Sequence, residues 1–235
     1  MKPKVIVIMP AYNAEKTLAK TVNDLPPGSV DEVILGDDCS SDRTVEIART
    51  LGLTVLKTPR NLGYGGNQKM LYRAALEHGG DVIVMVHPDW QYDATKVPDM
   101  VGPIAAGRVD LMMGSRILSG AETMPWYKYI SNRFLTGVEE LTFGLRLSEY
   151  HSGFRAFSRR LLETLPFERN SNDFVFDTEV LAETAAAGFK AGELAVPCRY
   201  FAEASEINFW RSTVYGLQTL LVCLKYRLAP RHYKR

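Results

Sequence analysis

The sequence predicts an α/β fold in which a mostly parallel central sheet is flanked by helices. Short segments rich in valine and isoleucine alternate with segments of helical periodicity through the first half of the chain. This alternation is typical of βαβ units with right-handed crossovers. The most apolar short segment, 82–86, runs directly into the polar residues 87–91, HPDWQ. Such a run indicates a strand buried on both faces, and open α/β sheets bind ligands beyond the ends of such strands.

Composition limits the kinds of protein that the chain can be. Its 235 residues fit a single domain with a sizeable core, and a net charge of +1 gives no reason to expect a nucleic-acid partner. Cys39, Cys198 and Cys223 are too far apart to predict a disulfide framework or a zinc site. The first apolar run is too short for a signal peptide, and no stretch of about 18 apolar residues occurs. We therefore expect a cytoplasmic protein without a transmembrane helix.

Strands and helices alternate in the first half of the chain. β-branched runs bounded by proline, glycine or polar residues predict strands at 5–9, 32–36, 54–57, 82–86 and 109–114. Helical periodicity predicts helices at 14–25, 43–51, 67–78 and 95–106. Asp42 stands where its carboxylate can cap the second of these helices.

The second half contains longer helices. Segment 126–144 carries an apolar face that predicts either a core helix or a lid, formed by Ile130, Phe134, Val138, Leu141 and Leu145. The next predicted elements are a polar turn entering an extended piece at 148–157, helices at 158–165 and 174–187, a strand at 192–200 and a polar loop at 203–208.

The last predicted helix, 209–228, combines an apolar face with a basic end. Its apolar residues are Val214, Leu217, Leu220, Leu221 and Leu224. The basic residues at its end are Lys225, Arg227, Arg231, Lys234 and Arg235. Such a helix can lie peripherally on the anionic inner face of a membrane. The alternative is that it packs on the core or on a second subunit of a homo-oligomer.

Two polar segments are candidate ligand sites. Asp89 and Gln91 follow the buried strand, and their side-chain oxygens are ligands that Mg²⁺ or Mn²⁺ prefers. Segment 59–66, PRNLGYGG, has three glycines, so Gly65 and its neighbours can lie against a diphosphate at a helix N-terminus. It lacks the G-x-G-x-x-G spacing and the Walker lysine. A solvated loop and a plain tight turn are the respective alternatives.

Seven motifs occur in an order that resembles one known family. They are IVIMPAYNAEKTL, EVILGDDCSSDRTVEIA, RNLGYGGN, VIVMVHPDWQ, MGSR, SGFRAF and the region from FDTEVL to VPCRY. In this order they resemble the family 2 glycosyltransferases of GT-A fold, and most closely the dolichol-phosphate mannose and other polyprenyl-phosphate sugar synthases. The resemblance covers nearly the whole chain. It implies one domain with a nucleotide-sugar donor half, 1–116, and an acceptor half, 117–235.

The resemblance also implies a donor site. The nucleotide pocket would be formed by Pro10, Ala11, Tyr12, Glu15 and Gly65, with Asp37 and Asp38 on the base and ribose. The usual Asp-x-Asp motif of the family is altered, because His87 stands at the first acidic position while Asp89 and Gln91 keep the following ones. Asp89 and Gln91 are therefore the expected ligands of Mg²⁺ or Mn²⁺, and His87 either contacts the donor or fills space.

Arginines would form the acceptor side of the site. By resemblance, Arg116 lies near the sugar diphosphate and acts with Asp89 in catalysis, and Arg133 meets the acceptor phosphate. An arginine fork suits phosphate oxygens and keeps its charge when partly buried. The turn 152–155, SGFR, would shape this side, and Arg199 and Arg211 are weaker candidates for the same basic rim.

The implied activity is inverting transfer of a hexose from a donor of GDP-mannose or UDP-glucose type to polyprenyl or dolichyl phosphate. An acceptor phosphate is already an anion, so positioning can replace a strong general base. The alternative is transfer to a saccharide or glycolipid hydroxyl in cell-surface polysaccharide assembly, which needs a base such as Asp177, Glu179 or Glu149. The third hypothesis is an inactive nucleotide-sugar-binding scaffold that lost activity with the first acid of the motif.

Overall fold

A seven-stranded sheet forms the centre of the molecule. The computed structural model describes residues 2–120, 124–199, 209–229 and 233. Strands β1–β7 are Val5–Ala11, Glu32–Asp37, Thr54–Lys57, Val82–Met85, Leu111–Ser115, Arg155–Ser158 and Ala191–Ala195. Helices α1–α8 are Leu18–Asn23, Thr44–Thr50, Tyr64–Glu77, Val97–Ala105, Trp126–Phe143, Arg159–Thr164, Phe176–Ala186 and Phe209–Leu228. Short 3₁₀ turns occur at Ala94–Lys96 and Phe167–Arg169.

The sheet is mostly parallel, as the sequence predicted. Its strand order is β3-β2-β1-β4-β6-β5-β7, and only β6 runs antiparallel to its two neighbours, β4 and β5. The chain moves outward from β1 to β2 and β3 and then crosses back to place β4 on the other side of β1. The order of the strands therefore reverses between β1 and β4, which is where open α/β sheets bind their ligands.

Both faces of the sheet are covered. In β1, Ile6 and Ile8 enter one apolar cluster, whereas Val5, Val7 and Met9 enter the other. Successive strand residues point to opposite faces, so an unbroken apolar run indicates exactly such two-sided burial. Within the described ranges, no helix combines the length and apolarity that crossing a bilayer requires.

Several element boundaries differ from the predicted ones. α1 starts at Leu18 rather than residue 14, and β7 ends at Ala195 rather than 200. α3 starts at Tyr64, so Gly65 and Gly66 lie in the helix instead of in a loop. Arg43, not Asp42, is the N-cap residue of α2, and Asp42 Oδ1 accepts a hydrogen bond from Thr44 N at 2.9 Å. The predicted loop 203–208 and the basic residues Arg231, Lys234 and Arg235 lie outside the described residues.

α5 departs in part from the core-helix prediction, because Val138 and Leu145 pack against the core but the other apolar residues of that face do not. Ile130, Phe134 and Leu141, on the face predicted to pack inward, are 58%, 61% and 78% exposed. The buried residues are instead Asn132, Thr136, Glu139 and Phe143. Asn132 Nδ2 donates to Glu149 Oε1 at 2.8 Å, because this helix covers a polar part of the interior. Helical periodicity identified the two faces but not which of them is covered.

Gly65, near the start of α3, lies too close to neighbouring residues to carry a larger side chain. A Cβ at Gly65 would lie 2.4 Å from the Ser171 carbonyl oxygen and 2.8 Å from Phe176 Cβ. We expect Gly65→Ala to lower the free energy of unfolding by about 1–3 kcal/mol through overpacking. Gly137→Ala in α5 is the matched control, since nothing lies within 4 Å of its added Cβ, and it should stabilise by about 0.5–1 kcal/mol. Equal effects of the two variants in urea unfolding would contradict the packing described here.

Candidate functional site

A cavity of about 1110 Å³ opens beyond the carboxyl ends of β1 and β4. The side that the sequence predicts to bind the donor, called the donor side, is formed by the segments that follow β1 and β4 and by the loop before α3. Its opposite side is formed by the turn before β6, the loop before α7 and the start of α8. The described lining residues that matter below are Pro10, Ala11, Tyr12, Asp38, Gly63, Tyr64, His87, Asp89, Gln91, His151, Gly153, Phe174, Asp177, Arg211 and Tyr215.

On the donor side, Asp38 organises the glycine-containing loop. Its carboxylate accepts hydrogen bonds from Leu62 N at 2.7 Å and from Gly63 N at 3.0 Å. Gly63 has a φ of 80°, a conformation that favours glycine, and it immediately precedes α3. The amino end of α3 is thereby held at the cavity, where its free backbone N–H groups and dipole suit a diphosphate.

Three predicted donor-site residues do not line the cavity. Asp37 is fully buried, and its Oδ2 has no hydrogen-bond partner among the described residues. Glu15 Oε2 accepts a hydrogen bond from Arg43 N at 3.1 Å. Gly65 faces the loop before α7, with its N–H donating to Asn172 O at 2.8 Å. Pro10, Ala11, Tyr12 and Asp38, in contrast, line the cavity as expected.

The turn after β4 is anchored by Trp90. Its backbone has a φ of 59°, which bulky residues rarely adopt. The indole Nε1 donates to Asp24 Oδ2 at 2.8 Å, and Lys20 Nζ and Arg199 Cζ lie 4.8 and 4.5 Å from the ring centre. These contacts hold the indole outside the cavity while its two neighbours in the chain, Asp89 and Gln91, line it.

Asp89 is the carboxylate best placed to meet a cation. Burial raises its pKa above the ordinary value, an effect that the nearby His87 and the Gln91 N–H partly offset. In the described part of the chain, no three His, Cys, Asp or Glu side chains are grouped to hold a metal ion by themselves. A carboxylate and an amide nevertheless fit Mg²⁺ or Mn²⁺ that arrives with phosphate ligands of its own, as is usual at nucleotide sites.

His87 contacts the opposite wall of the cavity. Its Nε2 lies 3.3 Å from the Tyr64 hydroxyl, and the two rings stack with centroids 5.6 Å apart. A Cβ at Gly153 would lie 2.6 Å from His87 Cδ2, so the glycine of the SGFR turn makes room for the imidazole. His87 therefore bridges the end of β4 and the turn before β6.

A buried ion pair fixes this turn. Arg155 is 1% exposed, its Nη2 lies 3.2 Å from Asp177 Oδ2, and its other N–H groups donate to backbone carbonyls of the turn and of α7. Asp177 in turn accepts hydrogen bonds from the Tyr64 hydroxyl at 2.9 Å and from Gln68 Nε2 at 3.2 Å. The pair thus joins β6, α7 and α3 around one side of the cavity.

The two arginines predicted to be catalytic are already engaged. Arg116 pairs with Glu149 and donates to His151 O, and Arg133 Nη1 donates to Ser148 O at 3.0 Å. Neither belongs to the described cavity lining, whereas Arg211 does and lies over the Phe174 ring. Their assignment as catalytic residues stays a prediction that requires the guanidinium groups to reorient.

The three candidate general bases also have structural partners. Burial alone would raise the pKa of Glu149, but Arg116 and its hydrogen bonds hold it below the ordinary value. Asp177 is paired with Arg155, and Glu179 Oε2 accepts a hydrogen bond from Ser171 N at 2.7 Å. The lowered pKa makes Glu149 a weak base for the proton of a substrate hydroxyl.

Tyr64, His151, Phe174 and Tyr215 are among the lining residues that were not singled out from the sequence. Tyr64 lies in the RNLGYGGN motif and His151 directly precedes SGFR, so both were adjacent to recognised signals. Phe174 and Tyr215 gave no signal, because one precedes a helix and the other lies within helical periodicity. Their position depends on how α7 and α8 pack, which a single sequence does not reveal.

Comparison with known proteins defines the class. Residues 6–165 match the family described as glycosyl transferase family 2, and the chain belongs to that family. A glucosyl-3-phosphoglycerate synthase from Mycobacterium tuberculosis, solved with Mn²⁺, UDP and phosphoglyceric acid, superposes with a TM-score of 0.72 at 21% identity, covering 97% of this chain and 79% of that chain. This similarity establishes the GT-A fold.

Two relatives from Haloferax volcanii extend the comparison. The low-salt glycan biosynthesis hexosyltransferase Agl6 is 32% identical over 215 residues, which cover 88% of this chain but only 50% of Agl6. The chain therefore spans half the length of that relative. A dolichyl-phosphate hexose transferase is 29% identical over 226 residues, covering 94% of this chain and 95% of the relative.

The anchoring of Trp90 can be tested by substitution. Trp90→Phe removes the hydrogen bond to Asp24 and weakens the two cation–π contacts, so we expect the free energy of unfolding to fall by about 1–2 kcal/mol. Trp210→Phe, at a side chain 73% exposed on α8, is the control and should stay within about 0.5 kcal/mol. Urea unfolding followed by far-UV circular dichroism measures both. A Trp90→Phe variant with the free energy of unfolding of the wild type would contradict the anchoring role of the indole.

Proposed function

We propose that this chain transfers a hexose from a nucleotide sugar of GDP-mannose or UDP-glucose type to the phosphate of a polyprenyl or dolichyl phosphate. The observation that carries this proposal is the state of the candidate bases: Glu149, Asp177 and Glu179 are all held by other groups. A hydroxyl acceptor would need one of them free, whereas a phosphate arrives as an anion. The full-length match to a dolichyl-phosphate hexose transferase supports the same acceptor.

The donor would occupy the side of the cavity formed by β1, β4 and α3. Pro10, Ala11 and Tyr12 would hold the nucleoside with Asp38, and the amino end of α3 would face the diphosphate. Asp89, with Gln91, would hold Mg²⁺ or Mn²⁺. A divalent cation there would stabilise the negative charge that develops on the departing nucleoside diphosphate.

The acceptor would enter from the opposite side, between the SGFR turn, α7 and α8. A phosphate oxygen aligned behind the anomeric carbon displaces the nucleoside diphosphate in a single step, which inverts the configuration of that carbon. Such alignment supplies much of the rate acceleration when no base is required. Two of the lining carboxylates, Asp38 and Asp177, are held by hydrogen bonds and an ion pair, which disfavours either as the nucleophile of a two-step mechanism.

The proposed activity is tested by a transfer assay. Purified protein is incubated with labelled GDP-mannose or UDP-glucose, Mn²⁺, and either a short polyprenyl phosphate or the matching prenol. We expect organic-soluble product with the phosphate alone, and none after chelation of the cation. Product from the prenol or from a saccharide would favour the hydroxyl-acceptor alternative. Activity that appears only in His87→Asp would favour the scaffold hypothesis.

The role of Asp89 is tested separately by binding. Asp89→Asn should weaken the Mn²⁺-dependent binding of UDP or GDP by about tenfold or more, because even changes behind a metal ligand cost that much affinity. Asp99→Asn, on the exposed face of α4, serves as the control and should bind as the wild type does. Isothermal titration calorimetry with and without Mn²⁺ measures the difference, and an Mn²⁺ effect that survives Asp89→Asn would exclude Asp89 as ligand.

We further propose that the protein meets the membrane through α5 and α8. Eleven of the thirteen exposed large apolar side chains in the described ranges lie on these two helices. The helices pack side by side, since a Cβ at Gly216 would lie 3.6 Å from Leu135 Cδ1 and Arg227 Nη2 donates to Leu141 O. Four of these side chains lie on one face of α8 and form an apolar stripe: Leu217, Leu221, Leu224 and Leu228.

The charges on this surface suit anionic lipid. Neither acidic residue of the two helices is exposed: Glu139 is buried, and Glu140 accepts a hydrogen bond from the Tyr150 hydroxyl. Their exposed charged residues are basic, among them Arg133, Lys225 and Arg227. An apolar face rimmed by cations binds at the interface of an anionic bilayer. The face adjoins the acceptor side of the cavity, because α8 also supplies Arg211 and Tyr215.

Binding to lipid vesicles tests the proposed membrane contact of α5 and α8. Leu217→Asp and Leu221→Asp should each weaken binding to phosphatidylglycerol-containing vesicles by about tenfold or more, the cost of withdrawing one leucine from an apolar environment. Leu118→Asp is the control, because Leu118 is exposed but lies on neither helix. If the variants instead turn a dimer into a monomer in analytical ultracentrifugation and leave vesicle binding unchanged, the surface joins two copies of the chain.

A further inference from the structure

A buried carboxylate lies behind the acceptor side of the cavity. Glu139 of α5 has a fully inaccessible side chain, and neither of its oxygens has an aligned hydrogen bond among the described residues. Its Oε2 lies 3.0 Å from His151 Nε2, a distance typical of an ion pair although the N–H does not point along it. A buried carboxylate is costly unless a cation offsets its charge. Arg116 does not serve this purpose because it is paired with Glu149.

His151 connects this carboxylate to a tyrosine in the cavity wall. Its other ring nitrogen, Nδ1, lies 2.8 Å from the Tyr215 hydroxyl, and the two rings meet edge-on with centroids 5.6 Å apart. Both side chains line the cavity next to Arg211. Glu139, His151 and Tyr215 thus form a chain from α5, through the residue before the SGFR turn, to α8.

The direction of the hydrogen bonds follows from the charge. An imidazolium at His151 would offset the charge of Glu139 and would donate from both ring nitrogens. The Tyr215 oxygen would then accept from His151, and its phenolic hydrogen would be able to donate to a ligand. Burial, followed by the negative charge of Glu139, raises the pKa of Tyr215 above its ordinary value. The phenol therefore keeps its proton and acts as a hydrogen-bond donor.

We propose that Tyr215 donates a hydrogen bond to the anionic phosphate of the acceptor, and that His151 and Glu139 are positioning residues that orient and polarise its hydroxyl. This inference rests on the proposed lipid-phosphate acceptor. It assigns acceptor recognition to a tyrosine beside Arg211, in place of the predicted Arg133, whose guanidinium donates to a backbone carbonyl outside the described lining. A donor of this kind discriminates a phosphate from a neutral headgroup, because hydrogen bonds to charged groups are the stronger ones.

The test measures binding of two soluble probes to protein saturated with Mn²⁺ and the nucleoside diphosphate that binds. Decyl phosphate carries the anionic headgroup and decyl glucoside a neutral one, each used below its micelle concentration. Tyr215→Phe should weaken decyl phosphate binding by about tenfold to a hundredfold, as expected for a hydrogen bond to a charged group, and leave decyl glucoside and nucleotide binding unchanged. Tyr226→Phe, on the same helix but packed against Phe143, is the matched control and should bind both probes normally.

The positioning residues are tested with the double variant Glu139→Gln/His151→Gln, which removes both charges together and leaves no buried ion unpaired. It should lose decyl phosphate affinity to a similar extent as Tyr215→Phe, and adding Tyr215→Phe to it should cause little further loss. Equal decyl phosphate affinity in the wild type and Tyr215→Phe, or additive losses in the triple variant, would overturn this inference alone. If the wild-type protein does not bind decyl phosphate, both the proposal of a lipid-phosphate acceptor and this inference are wrong.

Discussion

The buried ion pair between Arg155 and Asp177 is the interaction on which the rest of the cavity depends. Arg155 lies in the only strand of the described sheet that runs against its neighbours, and its guanidinium closes the SGFR turn by donating to backbone carbonyls. Asp177 also accepts a hydrogen bond from Tyr64 at the start of α3, and the Tyr64 hydroxyl in turn contacts His87 after β4. Removing one member of such a pair leaves an uncompensated charge in the interior. These contacts therefore join the two sides of the cavity.

The same interior explains why α5 covers polar residues. Glu149 and Glu139 are both fully buried; Arg116 pairs with Glu149, and His151 Nε2 lies 3.0 Å from Glu139 Oε2. With these groups beneath it, α5 turns Asn132 and Glu139 inward together with Phe143, and leaves Ile130, Phe134 and Leu141 exposed. The exposed apolar residues of α5 thus lie opposite the polar groups that this helix covers. Under the proposed function, that arrangement brings a membrane surface and an acceptor site to the same two helices.

Much of the fold could be predicted from the sequence, and parts of the site could not. The short strand 54–57 was predicted with its observed boundaries, and 82–86 nearly so, because β-branched runs between turn residues are local signals. The antiparallel placement of β6 between β4 and β5 depends on contacts between distant segments. Motif order led to Asp38, His87, Asp89 and Gln91, all of which line the cavity. Tyr215 and the inward face of α5 were missed, because periodicity marks two faces of a helix without saying what each one covers.

The most direct test of the account is the structure of the product made from a polyprenyl phosphate and a nucleotide sugar with an α-linked hexose. In the proton NMR spectrum, the account predicts a β-configured anomeric proton that is split by coupling to ³¹P, since the sugar is joined to phosphate by a single displacement. An anomeric proton without phosphorus coupling would show transfer to a hydroxyl. An α-configured sugar phosphate would show retention. Either result would contradict a site in which an anionic acceptor attacks directly because every candidate base is held by another residue.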